Sequence, residues 1–137
     1  MSKFITLLSF LAVVIKAIDH SYNHEVQKDE HLNVKFVPER KFSVKFLTKT
    51  NDPVLTVTCD DGKHIKIFHG TDEPITKEIN LKPGTPVELT FLVQDDGVKI
   101  TRTGDPSTHV KTTTPFTSVT QIKTTGMVKE PVYSKIS

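Results

Sequence analysis

The chain has 137 residues, 36% hydrophobic and 25% charged, with a formal charge of +2, one Cys and no Trp. That is one domain's length, with enough apolar residues for a core and too few for a protein that crosses a membrane many times. Disorder along the whole chain is not expected of such a composition either.

In chain order, Met1-Ser2-Lys3 is followed by the apolar run Phe4 to Ile15 and then by Lys16-Ala17. This is the pattern of a secretory signal peptide, with Ala17 as the small residue before cleavage. The run is about a dozen residues, short of the roughly 20 that span a bilayer, so no stable membrane insertion is expected. Cleavage after Ala17 removes Lys3 and Lys16 and lowers the 18 Lys and Arg to 16, against 16 Asp and Glu. A mature chain of zero net charge gives no basis for electrostatic capture of nucleic acid. The expected organisation is a signal peptide over 1–17, a polar and loose lead-in over 18–30, and a folded domain over 31–137, in a secreted, extracellular protein.

From Leu32 onward the pattern has period two. Leu32, Val34 and Phe36 alternate with Asn33 and Lys35, and Phe42, Val44 and Phe46 alternate with Lys41, Ser43 and Lys45, which predicts two strands with one buried face each. Leu55 to Cys59 runs through Asp60-Asp61-Gly62-Lys63 into Ile65-Lys66-Ile67, and Asp-Gly between alternating runs predicts a hairpin. The device recurs where Val87, Leu89, Phe91 and Val93 lead through Asp95-Asp96-Gly97 into Val98-Lys99-Ile100. Lys82-Pro83-Gly84-Thr85-Pro86 between the hairpins is turn chemistry. Beyond Gly104-Asp105-Pro106 two or three short strands are expected, with Phe116, Val119, Ile122, Val128 and Val132 as apolar anchors. No window of the mature chain has capped helical spacing, so helix content should be small. The fold predicted from these signals is all-β, an antiparallel two-sheet β-sandwich.

Cys59 is alone, so no disulfide forms within the chain, and its place on the apolar face of a strand predicts a small buried hydrophobe. No Asn-x-Ser or Asn-x-Thr triplet invites N-glycosylation. The six histidines, at 20, 24, 31, 64, 69 and 109, include His20 and His24 at the spacing two metal ligands would need on a helix. No helix is predicted there, no second Cys stands beside them, and neither a metal site nor a cofactor is expected. None of the hydrolase, phosphate-loop or metalloprotease motifs is present. Asp60-Asp61 and Asp95-Asp96 are each followed by Gly, where Asp serves the turn, so no catalytic pair and no enzyme is read from them.

Phe42-Ser43-Val44-Lys45-Phe46, Leu55 to Asp60, Leu81-Lys82-Pro83-Gly84, Val87 to Val93 and Val98 to Gly104 succeed one another in an order that resembles galectins. Pro86 to Gln94 and on to Gly104 is similar to a hairpin of that family, and Pro115 to Ile122 with Gly126-Met127-Val128 to its closing strands. The likeness runs from about residue 32 to 136 and implies a galectin-like jelly roll. The family's sugar site has His, Asn and Arg on one strand and its exit, an Asn on the next strand, and a Trp-x-x-Glu. Here Thr58 falls at the His position, Asp60 at the first Asn, Gly62 or Lys63 near the Arg, Gly70 at the Trp and Glu73 at the Glu. Only Glu73 matches, and the whole chain lacks the Trp whose ring stacks on galactose. What the likeness implies is a binding module that recognises a glycan or glycoprotein through a polar sheet face bearing Ser43, Lys45, Thr56, Thr58, Asp60, Lys66 and Glu73. Hydroxyls, carboxylates and ammonium groups suit a sugar, and the pair Lys45 and Lys66 would favour an acidic one. The alternative is a secreted protein-interaction or structural module that keeps the sandwich without the sugar. Oligomeric state is not legible.

Overall fold

The alternating residues do build strands. The computed structural model describes residues 19–70, 73–82 and 84–136, so the proposed signal peptide over 1–17 lies outside it. In chain order the strands are β1 (His20–Asn23), β2 (His31–Phe36), β3 (Pro38–Thr48), β4 (Pro53–Cys59), β5 (His64–Phe68), β6 (Ile75–Glu78), β7 (Val87–Gln94), β8 (Gly97–Arg102), β9 (Thr108–Lys111), β10 (Val119–Met127) and β11 (Val132–Ile136). A single 3-10 turn, Phe116–Ser118, is the only helical element among the described residues. The strands form a six-stranded sheet, β1-β10-β3-β4-β5-β6, and a five-stranded sheet, β11-β2-β7-β8-β9. Every pairing is antiparallel, and the predicted two-sheet β-sandwich is the observed fold.

The residues at period two meet between the sheets. Val44, Val57 and Ile67 share one register row of the six-stranded sheet and are buried; Val34, Leu89, Phe91 and Ile100 face them from the other sheet. Aromatic rings tie the two layers, with Phe46 on β3 lying 4.8 Å from Phe91 on β7 and 5.1 Å from Phe116, and Phe36 on β2 lying 5.3 Å from Phe42 on β3. Cys59 sits in this core, 1% exposed and unpaired, and burial pushes its thiol above the usual range.

The two predicted hairpins use their glycines differently. In the β4–β5 loop Gly62 has φ +75°, the left-handed conformation that its lack of a Cβ permits. In the β7–β8 hairpin the turn is Asp95-Asp96, and Gly97 is already the first residue of β8. A Cβ there would lie 2.0 Å from the carbonyl oxygen of Val110, so Gly97 admits the close approach of β9 and does not supply the turn.

Three expectations need correction. The polar lead-in is not loose throughout: His20–Asn23 is edge strand β1, paired with β10, and Tyr22 turns inward to stack on Tyr133 of β11 at 4.1 Å and 4°. Val128 and Val132 are not core anchors, being 59% and 61% exposed. A register shift between Thr125 and Met127, at Gly126 with φ +72°, gives the inward place to Met127 and leaves Val128 outside; on β11 the inward position opposite Val34 goes to Tyr133. Beyond Gly104 the strands number three, as expected, but β10 has nine residues and is not short.

Candidate functional site

The outer face of the six-stranded sheet carries Ser43, Lys45, Thr56, Thr58 and Lys66 of the predicted polar residues, and strand register sorts these five into two rows. One row runs Ser21, Lys123, Lys45, Thr56, Phe68 across β1, β10, β3, β4 and β5. Its neighbour runs Thr125, Ser43, Thr58, Lys66, Thr76 across β10, β3, β4, β5 and β6. They share a face because residues two apart on a strand point the same way, while Val44, Leu55, Val57 and Ile67 between them point into the core.

A shallow groove of about 530 Å³ lies on the first row, lined by Lys45, Thr56, Thr58, Phe68 and Lys123, with Leu47, Asn51 and Pro53 closing one end. The end is held by the β3–β4 turn. There Asn51 has φ +65°, Thr48 N–H donates to the Asp52 carbonyl at 2.9 Å, and the Thr50 hydroxyl donates to the Asp52 carboxylate at 2.7 Å. A bulge between Phe46 and Leu47 sets two consecutive apolar residues to different uses, Phe46 in the core and Leu47 against the groove. Phe68 is 40% exposed, a large ring left open beside two hydroxyls.

Of the six residues expected to bind a sugar, Lys45, Thr56 and Thr58 line the groove together. Lys66 shares their face as the register partner of Thr58 but lies outside the groove. Asp60 is exposed one residue beyond the end of β4, and Glu73 is exposed before β6; neither lines the groove. Ser43, also expected on the face, is tied up by a 2.6 Å hydrogen bond to Thr125. The neighbouring turn is held by Asp61, whose carboxylate accepts the backbone N–H of Lys63 and His64 at 2.8 Å each and meets His64 Nδ1 at 2.8 Å. The His64 contact is the largest of the causes that hold the Asp61 carboxyl well below the usual range.

Sequence reasoning missed Phe68 and Lys123. Phe68 was legible by parity, since Ile65 and Ile67 point inward and the next residue must point out. Lys123 was not, because its neighbour Lys45 is reached only through the long-range pairing of β10 with β3. Among the described residues no three His, Cys, Asp or Glu side chains gather as a metal site would require.

No protein-family model and no curated protein matches the chain. Its architecture does match solved structures. A variant of human galectin-16 superimposes with a TM-score of 0.65 at 10% identity, over 85% of this chain and 95% of that one. The fold is galectin-like. Toad ovary galectin in complex with thio-digalactose is similar with a TM-score of 0.63 at 11% identity, over 85% of this chain and 98% of its own. Chicken galectin 2 gives 0.64 at 10% identity, over 87% and 99%. The galectin-like sandwich is thus nearly complete here, on a sequence that shares about one residue in ten with these structures.

Proposed function

We propose that the chain is a secreted, non-catalytic lectin module that recognises a glycan through the groove on the outer face of its six-stranded sheet. The observation that carries this reading is the exposed ring of Phe68 beside the hydroxyls of Thr56 and Thr58. A pyranose has an apolar C–H face and a rim of hydroxyls, and binding one takes an aromatic surface flanked by hydrogen-bonding groups. Phe68 supplies the apolar surface that the absent Trp does not, at a different place on the face. The likeness to a galectin seen with thio-digalactose supports a carbohydrate as ligand class. The apolar leader Phe4 to Ile15 supports export.

The test is a glycan-array screen of the chain from Ile18 to Ser137 beside its Phe68→Ala variant. Reproducible retention on a restricted set of glycans, lost or weakened at least fivefold in Phe68→Ala with the Tm little changed, is the expected result. Retention equal in both proteins contradicts the assignment of the groove. Silence of the parent across the array contradicts the lectin reading and favours a protein-binding module on the same fold.

A further inference from the structure

The two outer rows place ten side chains on the face, and three of them are lysines while none is an acid. Lys45 and Lys123 are direct cross-strand partners, both exposed and both lining the groove. Among the described residues neither has a carboxylate within 4 Å, although Lys28, Lys135 and Arg102 elsewhere do. The nearest acid in sequence to the groove wall, Asp52, already accepts the Thr50 hydroxyl. Like charges directly opposed on neighbouring strands cost stability, and residues 18–137 carry as many acids as Lys and Arg, 16 of each, so an excess of basic residues does not account for the pair. Most lysines among the described residues likewise lack a carboxylate partner; what distinguishes this couple is that its two ammonium groups stand directly opposed on neighbouring strands inside the groove.

We infer that the groove takes an acidic saccharide, one bearing a sulfate or a carboxylate, with the acidic group held between Lys45 and Lys123 and a neutral part of the sugar on Phe68. This rests on the lectin reading above and specifies its ligand class. The spacing fits: Phe68 on β5 stands two strands from Lys45 and three from Lys123 along one row. At about 4.8 Å per strand that is roughly 10 to 14 Å, the reach of a sugar ring with a charged substituent or a charged neighbour. Thr56 lies between them and can donate to or accept from the intervening hydroxyls. Two ammonium groups on flexible stems make charge-assisted hydrogen bonds to sulfate or carboxylate oxygens without demanding one fixed geometry. Lys66, on the other row and outside the groove, has no part in this clasp.

The experiment prints each neutral glycan beside its monosulfated and sialylated forms. It compares the parent chain with Lys45→Gln, Lys123→Gln and Lys66→Gln, at low and at physiological salt. The parent should favour the acidic member of at least one pair by about tenfold. Lys45→Gln and Lys123→Gln should each remove threefold to tenfold of that preference, read as the ratio of acidic to neutral binding, while Lys66→Gln keeps it. The Tm of Lys123→Gln should equal or exceed the parent's, because a like-charge pair is relieved, so lost binding cannot be put down to unfolding. Equal binding of neutral and acidic members overturns the inference and leaves the lectin reading intact. A preference that Lys66→Gln weakens as much as Lys123→Gln overturns it too, since that marks a diffuse basic face. Silence on every glycan overturns both readings.

Discussion

Removal of the His24 side chain should loosen the N-terminal strand's hold on the sandwich. Glu30 has a fully buried side chain; its Oε2 lies 2.6 Å from His24 Nε2, and its Oε1 lies 3.6 Å from Lys135 Nζ with no hydrogen bond. His24 in turn stacks against Tyr22, 5.7 Å away, which stacks on Tyr133. The backbone of Glu30 is fixed on β7, its carbonyl accepting Val93 N–H at 2.9 Å, so the carboxylate cannot simply swing to water. His24→Ala leaves it with one distant ammonium group on a largely exposed stem. Leaving a buried hydrogen-bonding group without its partner costs about 1 to 3 kcal/mol, and since Glu30 Oε1 already lacks a hydrogen bond the expectation is about 2 to 3 kcal/mol. Against a total of roughly 5 to 15 kcal/mol this is a large fraction, and it should lower the Tm by roughly 6 to 12 °C. The assay is urea unfolding of both proteins, followed by far-ultraviolet circular dichroism at equal protein concentration. Glu30→Gln should cost less than His24→Ala, because the amide of Gln can still hydrogen-bond the His24 ring. A loss under about 0.5 kcal/mol for His24→Ala would refute the claim that this pair anchors β1.

Cys59→Ala should destabilise by roughly 1 to 2 kcal/mol, the scale of a small buried side chain, and the native thiol should resist a thiol reagent until the protein unfolds; rapid labelling would contradict its burial. Tyr133 lies with its phenol buried, and Thr124 Oγ1 beside it does not reach hydrogen-bonding geometry. Burial is the main cause that pushes the phenol up to about 12. The folded state therefore holds this proton more tightly than the unfolded chain, whose tyrosines titrate near 10. The contribution is complete below pH 10 and is lost as pH rises from about 10 to about 12; an ultraviolet titration showing both tyrosines ionising together near 10 would contradict it. Gly97→Ala drives a Cβ to 2.0 Å from Val110 O and should displace β9 or prevent folding, so an unchanged Tm would argue against the β8–β9 pairing.

How far the sequence could be read followed from where the burial signal lies. β2, β3, β4, β5, β7 and β8 each bury several alternating apolar side chains, and period two revealed them. β1 buries little beyond Tyr22 and has the sequence His-Ser-Tyr-Asn, in which no alternation of aliphatic residues can be seen. Val128 was misplaced because a glycine bulge changes parity, and composition alone does not announce a bulge. At the site, the three residues on β3 and β4 were within reach because those strands are sequence neighbours joined by a turn. Asp60 and Glu73 entered through the family likeness and lie outside the groove. Phe68 was available by parity but overshadowed by the missing Trp, and Lys123 needed the pairing of β10 with β3. Local alternation reports which way a side chain faces; only the sheet order reports what stands next to it.

The central claim, that the outer face of β3, β4 and β5 is the ligand surface, is tested most directly by an NMR titration. The isotopically labelled chain from Ile18 to Ser137 would be titrated with the best array-selected glycan. The account predicts amide shifts confined to Lys45, Asn51, Thr56, Thr58, Phe68 and Lys123 and their strand neighbours. Shifts centred on the five-stranded sheet, or on the separate pocket lined by Pro38, Arg40, Leu81 and Val128, would contradict it.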